Sequence, residues 1–187
     1  MTITTFKWSL DRYHEAIAKG TIKESDRLEL LRGDLVLMSP EGEVHAYYNR
    51  SVSNYLRGVL GNRAEISEGH PITLPNNSEP EPDIAVVQPL GREYLNHHPY
   101  PENIFWLIEF SKSSLEKDLG LKKSIYAEAK IQEYWVVDLK EFEVKVFRNP
   151  DNNDYTSEVT LTTGTFSPLA FPDLMIEVQS IIQFDDL

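Results

Sequence analysis

The stretch Ile104-Phe105-Trp106-Leu107-Ile108-Glu109-Phe110 decides the fold, because six of its seven side chains are apolar. Apolar residues at both odd and even positions indicate a strand that is covered on both faces, as at the centre of an α/β sheet. One carboxylate, Glu109, interrupts the run. A lone carboxylate is costly to bury unless it is paired or binds a cation. The stretch therefore predicts a central strand that carries either a functional acid or a partnered structural one.

Amphipathic helices are predicted on both sides of this strand along the chain. Residues 44–60 place apolar side chains at helical spacing on one face, and Gly61 follows as a stop signal. Residues 113–116, Ser-Ser-Leu-Glu, match a capping box that opens a second helix reaching about Lys130. Further strands are predicted at 63–67, 71–74, 83–87, 133–138 and 143–147. This order predicts an α/β (α+β) domain with a central mixed β-sheet flanked by helices.

The flanking segments complete a single predicted domain over residues 1–187. Residues 1–43 are expected to form an N-terminal helix, over 9–19, and a hairpin turning at Arg32-Gly33-Asp34. Residues 44–148 are the predicted core. Residues 149–187 are expected to form a C-terminal β extension of edge strands or a covering loop, with a short helix from Leu174.

Composition excludes several classes of protein. The chain has 187 residues, 41% of them hydrophobic, which is enough for one domain with a sizeable core. The absence of cysteine excludes disulfides, thiolate zinc sites and a cysteine nucleophile. No apolar stretch approaches the ~20 residues that span a bilayer, and the first fifteen residues lack the apolar block of a signal peptide. We therefore expect a cytoplasmic protein that does not enter a membrane.

The charge distribution is acidic and uneven. The chain has 18 basic and 30 acidic residues, a net charge of −12, and the 39 residues from Asn149 onward contain no Lys or Arg. This argues against a broad surface that wraps a nucleic-acid duplex, because phosphate contacts need clustered cations. It does not exclude metal-assisted phosphate chemistry, since a bound cation inverts the local field.

Acidic residues lead into the predicted strand at 83–87. Glu79, Glu81 and Asp83 alternate, so in an extended chain their side chains point the same way. Such an edge either binds a cation or is simply solvated. Asp83 itself is either a site residue or an ordinary acid at the start of a strand.

Lys122 has an unusual position in the second helix. At about 100° per residue it lies at the centre of the stripe formed by Leu115, Leu119, Tyr126 and Ala129. Asp118 precedes it by one turn on the same side. Lys122 is therefore either a snorkelling lysine paired with Asp118 or a cation directed into a site beneath the helix.

Asp83, Glu109 and Lys122 together have the composition of a phosphate-processing site. Carboxylate oxygens suit Mg²⁺ or Mn²⁺, which keep several waters and accept phosphate oxygens. Such a metal lowers the pKa of a bound water, and a nearby lysine orients that water or stabilises developing charge.

The ordered motifs resemble a known family. Pro82-Asp83, with Glu109 26 residues after Asp83, resembles the PD-(D/E)-x-K nuclease pattern. The block over residues 108–138 more specifically resembles the Uma-two family of endonucleases, and the resemblance covers about residues 8–180. It implies a restriction-endonuclease-like core in which Asp83 and Glu109 bind the metal and Lys122 is the third catalytic residue.

The sequence departs from the superfamily pattern two residues after Glu109. Ser111 stands where the pattern has lysine, and strand alternation points the next residue, Lys112, to the opposite face. The family resemblance instead places the lysine at Lys122, the residue that the helical wheel singles out. Secondary site residues are also expected, and Glu29 and His45 match family positions that are either functional or structural. The full secondary set is Glu29, His45, Glu81 and Asp118.

Two functions follow from these observations. The first is a nuclease that depends on Mg²⁺ or Mn²⁺ and cleaves nucleic-acid phosphodiester bonds, with DNA favoured over RNA and a homodimer expected. The alternative is a catalytically silent binding or assembly module of the same fold, with an acidic surface for a protein partner. The two differ over cation affinity, because only the enzyme must bind a divalent ion at these carboxylates.

Overall fold

A helix and a hairpin begin the structure, a computed structural model that describes residues 5–183. α1 (Leu10–Ala18) starts after its N-cap Ser9, whose side chain accepts a hydrogen bond from the Arg12 backbone N–H. β1 (Leu28–Leu31) and β2 (Asp34–Leu37) pair antiparallel. The N-terminal helix and hairpin are thus present as predicted. Residues 1–4 and 184–187 of the predicted domain lie outside the described residues.

The central sheet has six strands, of which only one neighbouring pair is parallel. Its order is β3-β4-β5-β6-β7-β8, and only β5 and β6 run parallel. The strands are β3 (Glu65–Glu68), β4 (Ile84–Val87), β5 (Ile104–Ser111), β6 (Glu133–Asp138), β7 (Glu143–Asp151) and β8 (Asp154–Leu161). β5 lies inside the sheet with neighbours on both sides, which confirms the central strand predicted from its apolar run. The mixed central sheet is confirmed as well.

The two faces of β5 meet different helices. Trp106 and Ile108 share a buried cluster with Val52 and Leu56 of α2 (Glu43–Leu60). Leu107 instead belongs to the cluster on the opposite face, which includes residues of the segment at 115–128. Glu109 alternates with Ile108, and it therefore faces this segment. Within residues 5–183, no helix combines the length and the apolar composition needed to cross a membrane.

The segment linking β5 to β6 is an interrupted helix rather than the regular one predicted over 115–130. It consists of α3 (Leu115–Lys117), a π-helical turn (Asp118–Lys122) and α4 (Lys123–Glu128). Within it, the Lys123 backbone N–H donates to the Asp118 carbonyl five residues earlier, as in a π-helix. The predicted capping box over residues 113–116 is wrong, because the N-cap is Ser114 rather than Ser113 and its side chain makes no capping hydrogen bond.

The C-terminal residues form an edge strand of the central sheet, one of the two alternatives predicted for residues 149–187. β7 continues to Asp151, past the predicted core boundary at residue 148, and β8 pairs along it. β9 (Thr165–Phe166) and β10 (Ile176–Glu177) form a separate antiparallel pair. A 3₁₀ turn at Val178–Ser180 replaces the short helix predicted from Leu174.

One predicted strand, at residues 71–74, is absent. Only an isolated bridge joins Leu74 to Ser78, within the irregular segment that leads to β4. Ile72 and Leu74 are nevertheless buried in the cluster beside the interrupted helix. The apolar alternation in this segment therefore reflects burial rather than strand pairing.

Candidate active site

A cleft of about 800 Å³ lies between the start of α2 and the interrupted helix. The antiparallel register pairs Ile84 of β4 with Ile108 of β5, so Asp83, one residue before β4, lies beside Glu109. All seven residues predicted from the sequence line this cleft, namely Glu29, His45, Glu81, Asp83, Glu109, Asp118 and Lys122. Residues far apart in the chain thus meet in one place.

Asp83 is held from two sides through one of its oxygens. His45 Nε2, near the start of α2, lies 2.9 Å from Asp83 Oδ2, and the Phe110 backbone N–H donates to the same oxygen at 2.6 Å. His45 Nδ1 lies 2.9 Å from Glu41 Oε1. Burial lowers the pKa of His45, but hydrogen bonds and charges from Asp83 and Glu41 outweigh it and raise the pKa to about 9. His45 is therefore a cation at neutral pH.

Glu109 and Lys122 form a buried ion pair. Lys122 Nζ lies 2.8 Å from Glu109 Oε1, and the Tyr126 hydroxyl donates to the same oxygen at 2.8 Å. Burial raises the pKa of Glu109, as do the charges of Asp83 and Asp118, whereas Lys122 opposes the rise. Burial alone would lower the pKa of Lys122, but Glu109 and Glu29 raise it well above its usual range. Lys122 therefore stays charged. A further cation near Glu109 would favour the ionised form of this carboxylate.

Glu29 reaches the same pair from the hairpin. Its side chain is buried, Lys117 Nζ donates to its Oε1 at 2.9 Å, and Lys122 Nζ lies 3.5 Å from its Oε2. The predicted alternative, an ion pair between Lys122 and Asp118, is not formed. Lys122 is thus buried between two carboxylates from two different strands, β1 and β5.

Ser111, which stands where the superfamily pattern has lysine, makes a buried hydrogen bond. The Ser111 hydroxyl donates to Asp118 Oδ2 at 2.6 Å, and both residues are buried. Lys112, the residue after the end of β5, is exposed and lines the cleft. It makes no ion pair with Glu109, so Lys122 supplies the ammonium at this carboxylate.

Glu79 and Glu81 line the other end of the cleft. Glu79 is buried and accepts a hydrogen bond from Thr73, with His14 Nε2 at 2.7 Å from its Oε2. Glu81 is half-buried, which raises its pKa, and Glu29 raises it further. The alternation of these acids with Asp83 thus does place all three on one cleft.

Three contributing residues were missed from the sequence. Tyr126, assigned to core packing, also donates to Glu109, and its place one turn after Lys122 was an available signal. Lys117 pairs with Glu29. His14 pairs with Glu79 across 65 residues of chain, and no local pattern indicates it.

The donor set at Asp83 and Glu109 fits a hard divalent cation. Asp83 Oδ1 and Glu109 Oε2 accept no hydrogen bond from any described residue, since the contacts above use the other oxygen of each carboxylate. No group of three or more His, Asp or Glu side chains within residues 5–183 is arranged to hold a metal. Two carboxylates suit Mg²⁺, which keeps several waters in its shell.

The raised pKa of His45 predicts a pH-dependent contribution to stability. Because the folded pKa, about 9, exceeds the ordinary 6.5, this contribution is fully present below pH 6.5 and is lost as pH rises through 9. We expect His45→Gln to lower the free energy of unfolding by at least about 1 kcal/mol at pH 6 and by much less at pH 9.5. Urea unfolding of both proteins across this range checks it, and a pH-independent difference would contradict it.

Comparison with known proteins identifies the family of this chain and a solved structure that shares its fold. Residues 10–179 match the profile of the family described as "Uma2: Putative restriction endonuclease". A crystal structure described as "a putative nuclease belonging to DUF820", from Anabaena variabilis ATCC 29413, shares the fold with a TM-score of 0.70. That match covers 93% of this chain and 97% of the other at 16% sequence identity. No curated protein matches this chain in sequence.

Proposed function

The chain belongs to the Uma2 family of restriction-endonuclease-like proteins, and from that premise we propose that it is a divalent-metal-dependent nuclease. One observation carries the proposal. Asp83 and Glu109 line the same cleft, each has one carboxylate oxygen that accepts no hydrogen bond from a described residue, and the buried ammonium of Lys122 contacts Glu109. Carboxylates beside a buried lysine are suited to hydrolysis of a phosphodiester.

Asp83 and Glu109 would hold the cation, Mg²⁺ or Mn²⁺. When bound, it supplies a water of lowered pKa and screens charge on the phosphate. His45 and the Phe110 N–H fix the orientation of Asp83, and Tyr126 fixes that of Glu109. Lys122 stays protonated and stabilises negative charge that develops near Glu109.

The cleft also supplies cations for the nucleic-acid backbone. Besides Lys117 and Lys122, which pair with carboxylates, three basic side chains line it, namely Lys23, Arg27 and Lys112. Local cations of this kind make phosphate contacts even though the whole chain carries a charge of −12. Because restriction endonucleases act on DNA, we propose DNA rather than RNA as the substrate. We also propose a homodimer, which would extend the cleft along a duplex.

A cleavage assay tests this function. The wild-type protein is incubated with single-stranded DNA, duplex DNA and RNA, each with Mn²⁺, Mg²⁺ or EDTA. We expect DNA to be cleaved with either metal and preserved with EDTA. Cleavage that continues in EDTA would contradict metal dependence. Intact substrates throughout, with a protein that binds no Mn²⁺, would instead favour a silent binding module.

A further inference from the structure

Lys122 pairs with Glu109, a carboxylate that the proposed cation also needs. Its ammonium lies 2.8 Å from Glu109 Oε1, deep in the fold, with 3% of the residue exposed. A divalent cation on Glu109 Oε2 would be a few ångströms from this ammonium, and like charges at that distance repel strongly in a poorly solvated site. Cation binding at Glu109 therefore requires a second negative group that balances Lys122.

Glu29 provides that group. Its carboxylate is 1% exposed, and its Oε2 has no hydrogen-bond partner among the described residues although it is fully buried. Lys122 Nζ lies only 3.5 Å from this oxygen, just beyond hydrogen-bond distance. A buried carboxylate oxygen without a donor is costly, so a small movement of the ammonium toward Glu29 satisfies it. Asp118 Oδ1 is a second buried acceptor without a donor.

The π-helical turn explains why Glu29 faces two lysines at once. Residues five apart in an α-helix are separated by about 140° around the axis, so Lys117 and Lys122 would diverge. The wider turn at Asp118–Lys122 closes on a hydrogen bond between residues five apart and brings both lysines to the same side. Lys117 holds Glu29 Oε1, which leaves Oε2 directed toward Lys122.

We propose that Glu29 is a positioning residue that takes over Lys122 from Glu109 when a divalent cation binds. The inference rests on the proposed function, because it concerns the cation held by Asp83 and Glu109. In the structure Lys122 neutralises Glu109. In the bound state Lys122 pairs with Glu29, and its ammonium remains beside the site while Glu109 is released to the cation. The hairpin thereby becomes part of the cation site without contacting the metal.

A double-mutant cycle on Mn²⁺ affinity tests this role. Calorimetry is performed on wild type, Glu29→Gln, Lys122→Met and the double variant. We expect Glu29→Gln to raise the Kd for Mn²⁺ about tenfold or more when Lys122 is present. In the Lys122→Met background, the factor by which the same substitution raises the Kd should be smaller by at least about fivefold. The direct attraction of Glu29 for the cation exists in both backgrounds, so the difference reports the part transmitted through Lys122.

The control is Glu79→Gln, which removes a carboxylate from the same cleft whose side-chain contacts are with Thr73 and His14 rather than with either lysine. Its effect on Mn²⁺ affinity is expected to be equal in the two backgrounds. Equal losses for Glu29→Gln would overturn the inference and leave the proposed function intact. No Mn²⁺ binding by the wild type would overturn both. If Glu29→Gln does not fold, Glu29→Asp replaces it, because this variant keeps the charge but draws the carboxylate away from Lys122.

Discussion

The Asp83→Asn variant is expected to lose at least about 10³-fold of its metal-dependent cleavage rate, equivalent to about 4 kcal/mol of transition-state stabilisation. The amide has no negative charge with which to hold a divalent cation. It can still accept the hydrogen bond that the Phe110 backbone N–H donates to Asp83. The loss would therefore reflect the missing charge rather than a displaced strand.

Asp151→Asn is the matched control for this variant, because Asp151 is exposed at the end of β7 and lies outside the cleft. It should cleave at a rate within twofold of the wild-type rate, equivalent to a change of less than about 0.4 kcal/mol in the activation free energy. Initial rates on the preferred substrate at saturating Mn²⁺ provide the comparison. An Asp83→Asn rate within tenfold of the wild-type rate would remove Asp83 from the catalytic set.

The second large effect concerns stability and lies away from the cleft. Glu133 is fully buried, and its Oε1 accepts hydrogen bonds from the Trp135 indole and from two guanidinium nitrogens of Arg148. Its Oε2 accepts from the Leu169 backbone N–H at 2.6 Å. Glu133→Ala removes all of these acceptors at once. We expect it to lower the free energy of unfolding by about 3–5 kcal/mol, because the Trp135 indole, the Leu169 backbone N–H and the partly buried Arg148 guanidinium all lose their acceptor.

Urea unfolding followed by tryptophan fluorescence measures this effect. Glu158→Ala is the control, since Glu158 is an exposed acid on β8, and it should change stability by less than about 0.5 kcal/mol. A loss below 1 kcal/mol in Glu133→Ala would mean that water replaces the carboxylate without cost. The C-terminal segment through Leu169 would then be held by its apolar contacts alone.

Apolar patterning made the main elements of the fold predictable. The run at 104–110 identified β5, and helical spacing identified α2 to within one residue at its start. The same spacing placed Lys122 on the buried side of its helix. These predictions succeed because the buried side chains of a helix or strand recur at that element's own period, whichever other elements cover them.

Interactions between distant segments were not predictable in the same way. The π-helical turn differs from an α-helix in its hydrogen bonds and not in its residue types, so the sequence could not indicate it. β8 is mostly exposed and polar, so its sequence left open whether the segment forms an edge strand or a covering loop, and the structure places it at the edge of the central sheet. The partners of Lys122 lie 13 and 93 residues earlier, at Glu109 and Glu29, and only the folded topology brings them together.

The central claim is that Asp83 and Glu109 form a divalent-cation site. Calorimetric titration of the wild-type protein with Mn²⁺, beside the Asp83→Asn, Glu109→Gln double variant, tests it without requiring the right substrate. We predict saturable binding by the wild type and none by the double variant, with circular dichroism showing that both are folded. No specific binding by the wild type, with or without nucleic acid, would contradict the account and leave these carboxylates as structural groups in a binding module.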